Sequence, residues 1–205
     1  MVRPMVREIF GSMKPTQDLI VAGFVGSAGA RIIATMQEET LLQWFSIAYI
    51  RRIKDQDKND IVIQGNSQQW QSFGATACEP IGEGGIYTAL WNLSGAYGVG
   101  IEFKLHQIPV RQETIEICER YDLNPYRLFS DHCFLLVADN GGHLVETLAN
   151  CAIPAAIIGR VNCGIKREIV HGEERGFLDR PKKDELKKVV PSYFLHHKIN
   201  QEAVL

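Results

Sequence analysis

Long apolar runs are missing from this 205-residue sequence: the longest, such as "CFLLVA" at Cys133–Ala138, are strand-sized and far short of the roughly 20 residues that cross a bilayer. The opening "MVRPMVREIFGSMKP" is broken by Pro4, by charges and by Gly11 before any sustained apolar stretch, so it does not read as a secretory signal. A cytoplasmic protein with no membrane partner is the expectation. An excess of one charge is missing as well. Lys and Arg number 22 against 24 Asp and Glu, for a formal charge of −2, and no basic stripe offers the footprint of a nucleic-acid surface. Cysteine is scarce and unpatterned. Cys78, Cys118, Cys133, Cys151 and Cys163 are odd in number, widely spaced and mostly set in apolar segments, which points to reduced, buried thiols and not to a disulfide framework. No CxxC motif and no Cys/His pair has zinc spacing. His196 and His197 are adjacent in sequence and would point in different directions on a helix, so no metal site is expected. The "KDEL" at Lys183–Leu186 lies ahead of the C-terminus and cannot act as a retention address; it reads as a charged helix face.

What is present is an ordinary globular composition, 45% hydrophobic and 22% charged, with length enough for one large domain and a substantial core. "DLIVAGFVG" carries a strand's β-branched run from Asp18 and ends in the small-residue turn "GSAGA". From Gly29 to about Lys54, Ile32, Ile33, Met36, Leu41, Leu42, Phe45, Ile50 and Ile53 fall near a helical period, which predicts two helices broken around "QEET". "KDQDKND" reads as a solvated loop, and the Gln/Ser/Asn-rich stretch up to Phe73 shows no pattern. "GATACEP" reads as a short strand, and Ile86, Leu90, Leu93 and Tyr97 then share a helix face. Val99, Ile101, Phe103 and Leu105 alternate as a strand, and Ile115, Cys118 and Tyr121 mark a helix opened by Pro109. "CFLLVAD" gives a buried strand, "NGGHLVETLANC" a turn and helix, and "IPAAIIGRV" a strand. A hairpin around His171 and Gly172 and a charged helix from Lys182 to Val190 complete the chain. The order β-α-α-β-α-β-α-β-α-β-β-α predicts an α+β fold, a mixed β-sheet covered by helices.

Chemistry concentrates on "EPIGEGGIYTALW", Glu79–Trp91, where Gly82, Gly84 and Gly85 precede a helix. A helix N-terminus offers unpaired N–H groups and the positive end of the dipole, and glycines let a backbone approach an anion closely. A tight turn that merely starts the helix explains the same residues. The Lys-Ser/Thr of a Walker loop and the spacing of a dinucleotide fingerprint are both missing. Glu83 would satisfy the dipole in place of a phosphate and would repel one unless a cation such as Mg2+ intervened. Asp131 and His132 form a candidate acid/base pair ahead of the strand at "CFLLVA", with a polar loop as the plainer reading. "GSAGA" is a second candidate anion loop that close packing explains equally well.

The stretch "GGIYTALWNLSGAYGVGIEFKLHQIPVRQETIEICERYDLNPYRLF" followed by "FLLVADNGGHLVETLANCAIPAAIIGRV" resembles the C-terminal domain of the aminoimidazole ribonucleotide (AIR) synthetase superfamily, which also includes selenophosphate synthetase and a hydrogenase maturation factor. The nearest branch is that of the AIR synthase-related proteins. The resemblance implies the same α+β fold over residues 16–190, with an N-terminal extension at 1–15 and a tail at 191–205. It also implies that the ATP-binding domain, which in such enzymes precedes this one and supplies acidic Mg2+ ligands, is not in this sequence. In the related proteins the loop reads Asp-x-Thr-x-Gly-Gly, and here the acid and hydroxyl positions are Pro80 and Gly82. Glu79 stands one residue early to replace the acid, Asp131 and His132 replace a Ser-Gly or Glu-Gly pair, and the ending "NQEAVL" lacks the maturation factor's terminal cysteine. The expectation is a binding or assembly module with residual phosphate binding at Gly82, Glu83, Gly84 and Gly85, and with Glu79, Asp131 and His132 as a further polar site. The alternative is one half of a split ATP-dependent enzyme, with ATP and Mg2+ entering only through a partner chain. Homo-oligomerisation is expected through the face that the absent domain leaves open.

Overall fold

The computed structural model describes residues 11–56 and 65–194. A seven-stranded sheet organises them: β1 (Asp18–Ala22), β2 (Ala77–Pro80), β3 (Gly100–Phe103), β4 (Phe134–Ala138), β5 (Ala155–Asn162), β6 (Arg167–His171) and β7 (Glu174–Phe177), in the order β2-β4-β1-β5-β3-β6-β7. Every pairing is antiparallel except that of β3 with β6. The sheet is therefore mixed and the fold α+β. Around it lie α1 (Ser27–Met36), α2 (Glu38–Leu41), α3 (Ile47–Lys54), α4 (Ser67–Ser72), α5 (Gly85–Tyr97), α6 (Gln112–Arg120), α7 (Gly141–Asn150) and α8 (Leu186–Val189).

Strand alternation decides what each face buries. Leu19, Val21, Leu135, Val137, Ile101 and Phe103 look toward α5, whose Ile86, Leu90 and Leu93 complete one core. Ile20, Ala22, Leu136 and Ala138 look the other way, onto Trp70 of α4 and Leu144 and Leu148 of α7. A third cluster lies beside the sheet, where Ile33 of α1, Leu41 of α2, Ile50 and Ile53 of α3, Ile117 and Cys118 of α6 and Leu186 of α8 pack together. Gly159 shows how closely β5 and β3 approach: a Cβ there would lie 2.0 Å from the Glu102 carbonyl oxygen.

Helix boundaries follow local chemistry. Ser46, Asn66 and Asn140 cap α3, α4 and α7 by accepting from the N–H groups of Tyr49, Gln69 and His143. Gly98 in the left-handed region closes α5. The region predicted as two helices contains three, because "QEET" is itself mostly helical and the breaks fall at Gln37 and at the turn before Ser46. The patternless Gln/Ser/Asn stretch holds α4, whose reason for being there is the single buried Trp70. The predicted helix from Lys182 to Val190 shrinks to the four residues of α8. "KDEL" is no charged face, since Asp184, Glu185 and Leu186 are all buried. The expectation of buried thiols holds for Cys118 and Cys133 only; Cys78 is half-buried, and Cys151 and Cys163 are exposed, all of them free. Met13 also packs into the core around α5, and Tyr193 and Phe194 pack on Phe129. Most of "KDQDKND", together with His196 and His197, lies outside the described residues.

Phe103 is fully buried and meets Tyr87 edge-on at 6.3 Å. Phe103→Ala should cost about 3–5 kcal/mol in urea unfolding, whereas Phe177→Ala, on the exposed edge strand, should stay within about 0.5 kcal/mol. Equal effects would contradict this assignment of the core.

Candidate functional site

Strand β2 runs along the sheet edge, where Pro80 removes no needed donor, and delivers the chain to Gly82–Gly85. The loop is pinned on both sides: the N–H of Ile81 donates to the Cys133 carbonyl at 2.8 Å, and that of Ser130 donates to the Gly82 carbonyl at 3.4 Å. Gly84, at φ 82°, takes the left-handed conformation that starts α5. Gly85 is required by contact, because a Cβ would lie 2.5 Å from the Tyr126 carbonyl oxygen and 2.9 Å from that of Leu128. Gly82 has open space around its Cα. The space there would accept a hydroxyl-bearing side chain, so packing does not require glycine at that position.

The loop N–H that an anion would seek is already taken. The Gly84 N–H donates to Oδ2 of Asp184 at 2.5 Å, while Oδ1 accepts from Phe129 at 3.2 Å and Leu186 at 2.8 Å. A carboxylate that is 2% exposed thus sits against the start of α5, held by three backbone donors. Burial pushes its pKa up to about 6, outweighing the three N–H groups that favour the charged form, and the nearby Glu83 carboxylate adds to the rise. Glu83 itself forms an ion pair with Lys187, so the rim of the loop is closed by the same segment. The next residue, Glu185, is also buried; it accepts from the Asn124 N–H at 3.4 Å and pairs with Lys188 at 2.5 Å. Beside this seam lies a shallow cavity of about 490 Å3 lined by Tyr87, Asn124, Tyr126, Glu185 and Lys188, with the two tyrosine rings stacked at 5.6 Å.

The other sequence candidates separate. The turn at Gly26–Ala30 does converge on the same place: Gly26 N–H donates to the buried Ser130 hydroxyl at 2.8 Å and Gly29 N–H to the Phe129 carbonyl at 2.9 Å. Gly82, Glu83, Gly84 and Gly85 therefore adjoin the loop that carries Asp131 and His132. Those two side chains turn on each other at the surface, where Asp131 accepts from the His132 N–H at 2.9 Å and its second oxygen lies 3.5 Å from Nε2. Glu79 remains buried in β2, opposite Leu135. Among the described residues no group of three or more His, Cys, Asp or Glu could hold a metal ion, and no helix is long and apolar enough to cross a membrane. The residues that sequence reasoning missed are Asp184 and Lys187. Their signal was Leu186 followed by Val189 and Val190, an apolar edge on the predicted charged helix that is enough to bury one turn.

A carboxyl whose folded pKa lies above the roughly 3.9 of free aspartate holds its proton more tightly in the folded state. Its contribution to stability is full below about pH 4 and is lost as pH rises through about 6. The stability of the protein relative to Asp184→Asn should therefore fall across that window, by up to about 3 kcal/mol, in urea unfolding at a series of pH values. A difference that does not change with pH would contradict the burial of an ionisable Asp184.

With this geometry in hand, comparison with known proteins places the chain. A family model described as AIR synthase related protein, C-terminal domain, matches residues 19–171. No curated protein matches. Among solved structures, the chain is similar in fold to HypE of E. coli, with a TM-score of 0.66 and 17% identity over 86% of this chain and 53% of that one. The hydrogenase maturation protein HypE solved in complex with ATP gives 0.61 and 15% over 85% and 53%. Thiamine-monophosphate kinase from Stenotrophomonas maltophilia gives 0.61 and 17% over 78% and 51%. The chain spans about half the length of each of these structures.

Proposed function

For a chain that belongs to the AIR synthase-related C-terminal domain family, we propose the role of a cytoplasmic binding or assembly module that lacks complete ATP-dependent chemistry of its own. The observation that carries this reading is the occupied loop: the Gly84 N–H is bound to Asp184, and Pro80 and Gly82 present no carboxylate or hydroxyl to a metal or phosphate. Residual anion binding at Gly82, Glu83, Gly84 and Gly85 would rest on backbone N–H groups alone. ATP and Mg2+ would act only if another chain brought the acidic ligands.

The second reading, one half of a split enzyme, draws on the coverage: the chain matches about half of the HypE structure solved with ATP. Its partner would be an ATP-binding chain, and the reaction an ATP-dependent activation of an amide or related oxygen. Calorimetry separates the two readings. The purified chain should give no saturable heat with Mg-ATP at micromolar concentration and no hydrolysis; binding and turnover by the chain alone would end the module reading. Co-purification with a second protein that restores both would favour the split enzyme.

Self-association belongs to the same proposal. Met36, Leu42, Trp44 and Ile47 are all exposed within one short span, with the Arg120 guanidinium 3.5 Å from the Trp44 ring centre. Apolar side chains grouped on a surface favour association. Sedimentation should show concentration-dependent dimers or larger species that Trp44→Glu weakens. A strictly monomeric protein at high concentration would contradict this.

A further inference from the structure

The segment after β7 is built as a tether with separate anchors. Leu178 is buried in the core beneath α5, the residues from 179 to 183 are exposed, and then Asp184, Leu186 and Val190 go inward. Leu186 and Val190 enter the cluster of α1, α3 and α6, and Tyr193 and Phe194 rest on Phe129 at ring-centre distances of 6.1 and 5.6 Å. Regular structure along this path is short: the four residues of α8 and the helical Tyr193 and Phe194. Its hold on the rest of the molecule is made of side-chain insertions, the Asp184 carboxylate, the Glu185 N–H on the Arg127 carbonyl and the Asn124 N–H on the Glu185 carboxylate, and two surface ion pairs, Lys187–Glu83 and Arg127–Asp179. Segments held this way belong to the low-stability end of a structure, which opens without global unfolding.

We propose that Asp179–Phe194 is a closing strap, in which Asp184 is the chain's own occupant of the glycine loop and competes with any outside anion for the Gly84 and Phe129 N–H groups. The carboxylate is tethered beside its site, so its effective concentration there exceeds that of a dilute free anion. Lifting the strap frees both N–H groups in one movement, because the same side chain holds Gly84 through one oxygen and Phe129 through the other. It also unpairs Glu83, whose negative charge would then face the incoming anion. The inference concerns only what closes the loop, so its failure leaves the module reading standing.

The test compares the full chain with Asp184→Ala, which removes the competing carboxylate and leaves Leu186 and Val190 in place. Inorganic pyrophosphate is titrated while the amide resonances of Gly82–Gly85 and Phe129 are followed. The variant should show saturable shifts at an affinity at least about tenfold above that of the unaltered chain. Equal binding by both proteins, or binding by neither, would overturn the proposal. If the variant does not fold, Val190→Ala weakens the strap without touching the carboxylate. Hydrogen exchange at Gly84, Phe129 and Leu186 should then accelerate together by about tenfold while β1 and β4 keep their protection. Acceleration at Leu186 with Gly84 unchanged would show that the strap does not guard the loop.

Discussion

One buried carboxylate holds the site region together. Asp184 binds N–H groups at the start of α5, in the loop ahead of β4 and at the start of its own short helix. The Gly84 and Leu186 N–H groups would otherwise be buried donors without a partner, which costs more than the net value of an ordinary hydrogen bond. Removing the carboxylate leaves several segments short of an acceptor at once. The third hydrophobic cluster closes on Leu186 and Val190, in the segment that follows the same residue.

This arrangement changes the meaning of the glycine loop. A helix N-terminus with glycines in front of it stabilises negative charge whatever its source, and here the source is the protein. Pro80 and Gly82 agree with that, since neither presents a carboxylate or hydroxyl of its own. Gly82 is under no steric pressure to lack a side chain, because open space surrounds its Cα. A loop that is bound, at the start of α5, to the chain's own carboxylate has its anion position satisfied from within.

The sheet and its helix cover were legible in the sequence because they rest on periodicity. The alternation through Leu19–Ala22 and Leu135–Ala138, the face of Ile86, Leu90 and Leu93, and the hairpin at His171 are repeated patterns in which many residues agree. The glycine loop was legible too, since Gly84 and Gly85 meet backbone constraints that other residues cannot. What filled the loop was not. Asp184 lies about a hundred residues downstream in a run of Lys, Asp and Glu that has every mark of a solvated surface, and only tertiary packing of Leu186 carries it inside. Trp70 was hidden for the same reason, as one apolar residue among glutamines and serines that shows no period but anchors α4. Asp131 and His132 were a candidate acid/base pair with a polar surface loop as the plainer reading, and their contact with each other at the surface follows from their adjacency in a turn.

The most direct test of this account is an NMR titration of the Asp184 carboxyl carbon, followed together with the Gly84 and Phe129 amides. The account predicts a single transition centred near pH 6, seen at all three positions and lost from the amides when Asp184 is replaced by Asn. A carboxyl transition to which neither amide responds would mean that the loop is not filled by the chain's own carboxylate.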